Sequence, residues 1–356
     1  MALALALGRR GLGRVWPWPS VGCVIVRDGR IVGRGCTDRE TMRHAEVVAL
    51  DQAGAAARGA TAYVTLEPCS HHGSVGPCTD ALLAAGIARV VAATEDPNPK
   101  VSGLDVLRRA GVAVETGVMR AEAEADHEGF FRVIRQGRPM VTLKLASSLD
   151  GRIATATGES QWITGPEARR AVHALRACHD AVLVGGGTAR ADDPALTVRG
   201  LGVRRQPVRV VASRRLDFEG GGLARDLPDA PLWLVHGADA RPEVLGAWRS
   251  RGAETIGCAT AQGQIDPKAM LAALADRGIT RVFCEGGGSL AASLLAADLV
   301  DRLVWFTAGL TLGAEGMPAI GALGVDRLGE APRFVLDDVT PVGPDVMASY
   351  RRQAQA

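Results

Sequence analysis

The sequence predicts an α/β fold divided into two domains, and three observations support that prediction. The chain has 356 residues, more than the roughly 100–200 that one domain usually holds. Short runs rich in β-branched residues alternate with segments of helical periodicity. The stretch Gln136-Gly137-Arg138-Pro139 interrupts this alternation with turn-forming residues, so we expect one domain over residues 1–138 and another over residues 139–356.

In the first domain, strands and helices are expected in alternation. The apolar run at residues 21–26 and the short run from Arg30 flank Asp28-Gly29, a dipeptide typical of a hairpin turn. Apolar residues at helical spacing predict a helix from His44 to about Ala57. Further elements are expected at residues 60–66 (strand), 78–85 (helix, closed by Gly86) and 88–94 (strand).

The second domain is expected to begin with a strand at residues 140–145. Thr164 is expected to cap a helix that has Pro166 and Glu167 in its first turn and continues to Ala177. Further strands are expected at residues 181–184, 208–212, 232–236, 280–284 and 301–307.

Composition restricts the class of protein. Hydrophobic residues make up 47% and charged residues 22%, and the net charge is +2, which is ordinary for a globular protein and gives no electrostatic argument for nucleic acid or membrane as a partner. The first residues place an apolar run before Arg9 and Arg10, the reverse of a secretion signal, so we expect a short amphipathic helix there. The seven cysteines are odd in number and widely spread, which favours a reducing cytoplasm over a disulfide framework.

Four residues carry the strongest chemical signal: His44, Glu46, Cys69 and Cys78. One imidazole and two thiolates are three zinc ligands, which leave a fourth tetrahedral position for water. The helix that begins at Cys78 is expected to stabilise the thiolate of that residue. Zinc lowers the pKa of its water to roughly 7, and a nearby unligated Glu46 can shuttle the proton to a leaving amine. This is the arrangement of zinc-dependent nucleobase deaminases.

The spacing of the two cysteines leaves alternatives open. Eight residues, Ser70 to Pro77, separate them, whereas the deaminase signature usually has two. A structural zinc site or unrelated buried cysteines are the alternatives. His71 and His72 are candidate competing ligands, although we expect them to line the pocket or to face solvent.

Several longer motifs resemble one family, the bifunctional riboflavin-biosynthesis deaminase–reductase, whose two cysteines have this long spacing. The motifs lie at residues 19–26, 44–47, 65–73, 143–151, 158–164, 192–199 and 285–290. The resemblance covers nearly the entire chain in the family's domain order. It implies a cytidine-deaminase-like α/β/α sandwich followed by a dihydrofolate-reductase-like α/β domain.

The resemblance also implies activities, cofactors and partners. The first domain would remove the exocyclic amine of a diaminopyrimidinone ribosyl phosphate with Zn²⁺, and the second would use NADPH to reduce the ribosyl part to ribityl. A homo-oligomer is implied by the family alone. The substrate is a small molecule, with neither nucleic acid nor membrane as partner.

The resemblance further implies individual site residues. His44, Cys69 and Cys78 would hold zinc, and Glu46 would move the proton. The implied cofactor-binding residues are Ala146, Trp162, Thr188, Asp192, Ser213, Gly287, Gly288, Ser289, Leu290, Ala291, Ala292 and Ser293. The implied substrate-binding residues are Ser160, Arg176, Leu196, Arg199 and Glu285.

Two glycine-rich loops suit a phosphate-containing cofactor. Residues 285–289 lie between a predicted strand and a predicted helix, where glycines let the backbone approach a phosphate and the helix N-terminus favours negative charge. Residues 185–188 form a similar loop. Neither is a Gly-x-Gly-x-x-Gly fingerprint, and a tight strand–helix turn is the alternative for both.

Charged and aromatic residues of the second domain suggest specific contacts. Arg176 and Arg199 suit a sugar phosphate, because a guanidinium binds phosphate bidentately; solvated charges are the alternative. Trp162 has the alternative of a core aromatic. Ser213-Arg214-Arg215 follows a predicted strand, and we expect this segment to favour the extra phosphate of NADPH.

Three deaminase positions depart from the family. Trp18 stands where an Asn is usual, the stretch around Thr37 lacks a usual His and Gly, and Ser74 replaces a basic residue. Arg39 or Arg43 is a candidate replacement charge. The alternative function is therefore a recruited paralogue with an altered or weakened deaminase pocket and a working reductase.

Two further classes of function are less consistent with the sequence. A deaminase acting on transfer RNA needs a basic surface and does not account for the reductase motifs. A scaffold with structural zinc has no need of Glu46 or of a cofactor loop.

Overall fold

The structure, a computed structural model, describes residues 1–71, 76–203, 205–225, 227 and 229–353. It divides into two compact units, Met1–Gly137 and Arg138–Ala356. The division lies one residue before the boundary expected from the sequence. Arg138 belongs with the second unit, where its guanidinium donates hydrogen bonds to both carboxylate oxygens of Asp301 at 2.7 and 2.8 Å.

The first unit alternates helices and strands as expected. Its helices are α1 (Ala2–Arg9), α2 (Ala45–Ala53), α3 (Cys78–Ala84), α4 (Gly103–Arg109) and α5 (Arg120–Gln136), and its strands are β1 (Gly22–Arg27), β2 (Arg30–Cys36), β3 (Thr61–Val64), β4 (Arg89–Ala92) and β5 (Ala113–Thr116). The strands form one sheet in the order β2-β1-β3-β4-β5. The predicted hairpin is confirmed, since β1 and β2 pair antiparallel around Asp28 and Gly29, which both adopt positive φ, as this turn type requires.

Two close approaches place helices on opposite faces of this sheet. A Cβ at Gly22 would lie 1.9 Å from the carbonyl oxygen of Ala4 in α1. A Cβ at Gly35 would lie 2.0 Å from the carbonyl oxygen of Ala45 in α2. Gly35 pairs with Cys23, the residue after Gly22, and successive strand residues point to opposite faces. The unit therefore has three layers, and the glycine on β2 fixes the start of α2 against the sheet.

The second unit is built on a larger sheet. Its helices are α6 (Pro166–Ala177), α7 (Gly186–Asp192), α8 (Gly221–Arg225), α9 (Pro242–Ser250), α10 (Pro267–Ala275) and α11 (Gly288–Ala296). Its strands are β6 (Met140–Ser148), β7 (Arg152–Ala154), β8 (Ala181–Gly185), β9 (Val208–Ala212), β10 (Leu232–His236), β11 (Glu254–Gly257), β12 (Thr260–Ala261), β13 (Gln264–Ile265), β14 (Arg281–Cys284), β15 (Arg302–Ala308), β16 (Met317–Pro318), β17 (Phe334–Val342) and β18 (Asp345–Arg352).

Nine of these strands form the main sheet, in the order β11-β10-β9-β8-β14-β6-β15-β18-β17. In this sheet order, the seven strands from β11 through β6 to β15 pair in parallel. Strands β18 and β17 join them antiparallel. The parallel strands are almost entirely buried, as expected for a sheet covered on both faces. Their carboxyl ends therefore meet at one edge, where ligands bind in such sheets.

Most predicted strands of the second unit are confirmed, and β9 and β10 have the predicted bounds. The predicted cap at Thr164 is wrong. The residue at the start of α6 is Gly165, with no side-chain cap, and its N–H donates to Asp345 Oδ2 at 2.7 Å. A carboxylate 180 residues away in the chain thus meets this N–H near the start of α6. Within the described residues, no helix is long and apolar enough to cross a membrane.

Candidate functional site

Three chain segments of the first unit bring His44, Cys69 and Cys78 together. His44 lies directly before α2 in extended conformation, Cys69 lies in the loop after β3, and Cys78 is the first residue of α3. His44 Nδ1 lies 3.2 Å from Cys78 Sγ and 3.5 Å from Cys69 Sγ. The ligand atoms of all three lie within 4.8 Å of one another. Because Zn–S and Zn–N bonds are about 2.0–2.3 Å long, one ion fits between these three atoms.

The two thiols differ in their affinity for a proton. The pKa of Cys69 is lowered, chiefly because the Cys78 thiol donates a hydrogen bond to its sulfur, and the Cys78 N–H at the start of α3 donates to the same sulfur at 3.3 Å. The pKa of Cys78 is raised, because its thiol is that donor and is buried. The N–H at the start of α3 thus meets the sulfur of Cys69 and not that of Cys78.

Glu46 lies beside this cluster and is almost fully buried, with 4% of its surface exposed. Its carboxylate lies close enough to the Cys78 sulfur for the two groups to affect each other's pKa. Burial raises the pKa of Glu46 to about 7. A carboxyl group with such a pKa can both take up and release a proton near neutral pH.

The three departures at the deaminase pocket have different structural positions. Thr37 is buried, donates from Oγ1 to the carbonyl of Pro19 at 3.0 Å, and accepts from the N–H of Val21 at 3.0 Å. It therefore holds the chain that leads into β1. Trp18 is half-buried, and Ser74 lies outside the described residues.

The candidate replacement charges both have partners. The guanidinium of Arg39 donates to the carbonyl of Trp16 and lies 4.8 Å from the centroid of its ring. Arg43 forms an ion pair with Asp51. His71 is exposed and is not part of the ligand cluster, and His72 lies outside the described residues.

The second unit contains a cavity of about 1040 Å³ at the carboxyl edge of its parallel strands. Nearly all the cofactor and substrate residues expected from the sequence line it. They are Ala146, Ser160, Trp162, Arg176, Thr188, Asp192, Leu196, Arg199, Ser213, Glu285, Gly287, Gly288, Ser289, Leu290 and Ser293. Ala291 and Ala292 do not line it, because both are buried in the core side of α11.

Both glycine-rich loops face this cavity and begin helices there. The first leads into α7, and the second leads into α11. The N–H of Gly287 donates to Thr188 Oγ1 at 3.1 Å, which ties the loops together. A Cβ at Gly187 would meet no atom within 4 Å, so the first loop is open on that side. Space of this size beside two helix N-termini suits a dinucleotide with its phosphates.

Arg176 and Glu285 form a nearly buried ion pair in the cavity wall, with 12% and 10% of their side chains exposed. The guanidinium donates to Glu285 through Nε at 2.5 Å and Nη2 at 2.9 Å, and to the carbonyl of Thr197 through Nη1 at 2.8 Å. Burial alone would raise the pKa of Glu285, but the charge of Arg176 outweighs it and the pKa is lowered. Arg199, in contrast, is exposed at the cavity.

Positive charge gathers around Ser213 at the end of β9. Arg190, Arg214 and Arg215 line the cavity with it. Arg214 and Arg215 share the carboxylate of Asp239, at 3.5 and 3.3 Å. These exposed pairs can exchange their partners for an anionic ligand at small cost.

Lys144, Arg169 and His173 are among the cavity residues that sequence reasoning missed. Burial lowers the pKa of Lys144, and Glu285 partly opposes this shift. For Lys144, the available signal was the position of a lysine inside the apolar run of β6. Arg169 and His173 share the cavity side of α6 with Arg176, which helical spacing from a known site residue could have indicated.

Two family descriptions match the chain, one for each unit. Residues 1–94 match the cytidine and deoxycytidylate deaminase zinc-binding region. Residues 139–348 match the RibD C-terminal domain. The predicted fold class, a cytidine-deaminase-like sandwich followed by a dihydrofolate-reductase-like α/β domain, is confirmed.

Relatives match along the whole chain. The riboflavin biosynthesis protein RibD of Escherichia coli is 43% identical over 97% of this chain and 96% of its own, and that of Aquifex aeolicus is 40% identical over 99% and 97%. The structure of Acinetobacter baumannii RibD has a TM-score of 0.88 at 36% identity over 99% and 98%. A Thermotoga maritima structure, described as a diaminohydroxyphosphoribosylaminopyrimidine deaminase/5-amino-6-(5-phosphoribosylamino)uracil reductase, has a TM-score of 0.86 at 34% identity over 99% and 97%. The chain therefore belongs to the RibD family, the bifunctional deaminase–reductases of riboflavin biosynthesis.

Proposed function

We propose that this chain deaminates a diaminopyrimidinone ribosyl phosphate in its first domain, residues 1–138, and reduces the ribosyl part of the product in its second, residues 139–356. The observation that supports the first step most directly is the convergence of His44, Cys69 and Cys78 beside a buried carboxyl group. The cavity with its two glycine loops supports the second step.

In the deaminase domain, we assign zinc to His44, Cys69 and Cys78. A bound zinc ion supplies Lewis-acid activation of a water nucleophile. Glu46 is assigned the proton transfer, because its carboxyl group lies next to the ligands without belonging to them and its pKa of about 7 allows both directions of transfer. The burial of Glu46 keeps bulk water away from that proton.

In the reductase domain, NADPH supplies the hydride, and the chain binds and orients. We assign the cofactor to the residues implied by the resemblance that line the cavity, which leaves out Ala291 and Ala292. The loops before α7 and α11 hold its phosphates. Ser213, Arg214 and Arg215 contact the extra phosphate that distinguishes NADPH from NADH.

For the substrate, we assign Ser160, Leu196, Arg199, Arg176 and Glu285. The phosphate is bound chiefly by Arg199, since the guanidinium of Arg176 already donates to Glu285 and Thr197. The Arg176–Glu285 pair orients the sugar. We also assign Lys144 to the substrate, because it lines the same cavity and interacts electrostatically with Glu285 and Arg176.

We further propose that the enzyme is a homo-oligomer and that it lies in the cytoplasm. A homo-oligomer is supported by the exposed apolar residues Val335, Leu336, Val339 and Val346 on the edge hairpin of β17 and β18, because exposed apolar strands of this kind usually have a partner. A cytoplasmic location is supported by the free state of the cysteines.

The recruited-paralogue alternative is not favoured, because relatives named as riboflavin biosynthesis proteins match both domains over nearly their full length. The purified chain should release ammonia from the diaminopyrimidinone ribosyl phosphate and then oxidise NADPH in proportion. Ammonia release that is absent from a fully zinc-loaded protein would overturn the deaminase assignment. NADPH oxidation that is absent when 5-amino-6-(5-phosphoribosylamino)uracil is supplied would overturn the reductase assignment.

A further inference from the structure

Trp162 presents a large aromatic surface beside the cavity of the second unit. Its relative exposure is 67%, so the alternative of a core aromatic is wrong. The whole segment 158–164 lines the cavity. A large apolar side chain left open beside a cavity is typical of a ligand-binding surface.

Arg169 covers one face of this indole. Its Cζ lies 4.5 Å from the centroid of the Trp162 ring, within the roughly 6 Å of a cation–π contact. Nη1 of the same guanidinium donates to the carbonyl oxygen of Thr164 at 2.8 Å. One side chain therefore fixes both the ring of Trp162 and the main chain two residues further on.

The main chain of Arg169 is itself held in place. Its N–H donates to the carbonyl of Gly165 at 3.2 Å, and the N–H of Gly165 donates to Asp345. Four residues at helical spacing put one face of α6 against the cavity. They are Arg169, Val172, His173 and Arg176. Arg169 thus belongs to the cavity face of the helix, while its neighbour Arg170 is exposed and does not line the cavity.

We propose that Arg169 is a positioning residue, which orients Trp162 so that the uncovered face of the indole stacks on a flat nitrogen heterocycle bound in the cavity. Offset stacking of flat rings at about 4.5–7 Å is a favourable arrangement. Two ligands of the reductase carry such a ring, the nicotinamide of NADPH and the pyrimidine of the substrate. The inference rests on the proposed reductase function and adds a residue to it.

The first experiment compares three variants of the full, zinc-loaded chain: Arg169→Gln, Arg169→Lys and Arg170→Gln. Binding of NADPH alone and of 5-amino-6-(5-phosphoribosylamino)uracil alone is titrated, which distinguishes the two rings. Arg169→Gln is expected to raise the Kd of the stacked ligand by roughly three- to tenfold, because a cation–π contact of this kind orders the indole. Arg169→Lys keeps a cation and stays near wild type, and Arg170→Gln, which removes an equal charge from the same helix, is unchanged.

The second experiment tests whether Arg169 acts through Trp162. Trp162→Ala is made alone and together with Arg169→Gln, and thermal unfolding midpoints are recorded for all variants. If Arg169 positions the indole, Arg169→Gln adds no further loss of affinity once Trp162 is absent, and the midpoints stay close to wild type.

Additive losses, or an unchanged Kd for both ligands in Arg169→Gln, overturn the inference while the reductase function stands. A lowered midpoint that accounts for the lost affinity also overturns it, since Arg169 would then be structural. A wild-type chain that binds neither ligand overturns the proposed function and this inference with it.

Discussion

The guanidinium of Arg176 and the carboxylate of Glu285 are joined by two parallel hydrogen bonds, Nε to Oε1 at 2.5 Å and Nη2 to Oε2 at 2.9 Å. The two residues are 109 positions apart in the chain. The pair is nearly buried in the wall of the reductase cavity. Two side chains that the sequence suggested as separate substrate contacts are therefore one unit.

Removing one member of this pair should cost stability as well as reductase activity. Glu285→Ala leaves the Arg176 cation buried without its counter-charge, which typically costs about 3–5 kcal/mol. Calorimetry of the full chain should show a marked fall in the unfolding transition temperature of the reductase unit. The exposed pair of Arg277 and Glu254 is the control, and Glu254→Ala should cost less than about 1 kcal/mol.

The double variant Arg176→Met/Glu285→Leu separates the two effects of this pair. It should recover most of the lost stability, because neither member of the pair is left charged without the other, but not the reductase activity. Equal stability of Glu285→Ala and wild type would contradict this account of the pair.

Glu46→Gln should separate zinc binding from proton transfer. Ammonia release should fall by at least about a hundredfold, since the amide cannot carry the proton. Zinc content, measured by metal analysis, should stay at the wild-type level because Glu46 is not a ligand. Cys69→Ser should lower both ammonia release and zinc content, because Cys69 is a proposed zinc ligand.

NADPH oxidation with 5-amino-6-(5-phosphoribosylamino)uracil supplied directly is the internal control in both deaminase variants and should persist. A Glu46→Gln protein that loses its zinc would show instead that the carboxylate is a ligand.

Arg214→Ala should weaken the preference for NADPH over NADH. A charge-assisted hydrogen bond to phosphate is worth roughly 1.5–3 kcal/mol, so the ratio of kcat/KM for the two cofactors should fall at least about tenfold. This fall should come from a lower kcat/KM for NADPH, while kcat/KM for NADH stays unchanged. Arg277→Ala, an exposed arginine change in the same unit that lies away from the cavity, should leave the ratio unchanged. An Arg214→Ala variant that kept its preference would exclude this contact.

His179 should make stability depend on pH. Burial lowers the pKa of His179 to about 3, while its two ring nitrogens hydrogen-bond to Leu175 O at 2.7 Å and Thr142 Oγ1 at 2.9 Å. Below the ordinary value of 6.5 the unfolded chain binds a proton that the folded chain refuses. This residue's contribution is therefore complete above about pH 6.5 and declines down to about pH 3, by up to about 1.4 kcal/mol per pH unit.

His179→Gln keeps a donor and an acceptor but does not titrate. The unfolding free energy of this variant, measured from about pH 7 to about pH 5, should fall less steeply than that of wild type. Identical slopes for the two proteins would show that His179 takes up its proton equally in the folded and unfolded chains, which would contradict the lowered pKa.

Local sequence patterns predicted much of the fold and the residues of the proposed zinc site. The hairpin at Asp28-Gly29 was predictable because its turn needs residues that tolerate positive φ. The buried strands β9 and β10 were predictable because they are short runs of mostly apolar residues. The antiparallel hairpin of β17 and β18 was not predicted, because Asp337, Asp338 and Pro341 interrupt the apolar residues of β17.

The sequence by itself determined the residue types that perform the chemistry: one histidine, two cysteines and a glutamate in one domain, and glycine loops in the other. Only the tertiary structure decided how those side chains are paired. It directs the N–H of Cys78 to Cys69, assigns Arg176 to Glu285 and places Arg169 on Trp162. Sequence motifs record local chemistry, whereas hydrogen bonds and ion pairs depend on which distant segments the packing brings within about 3 Å.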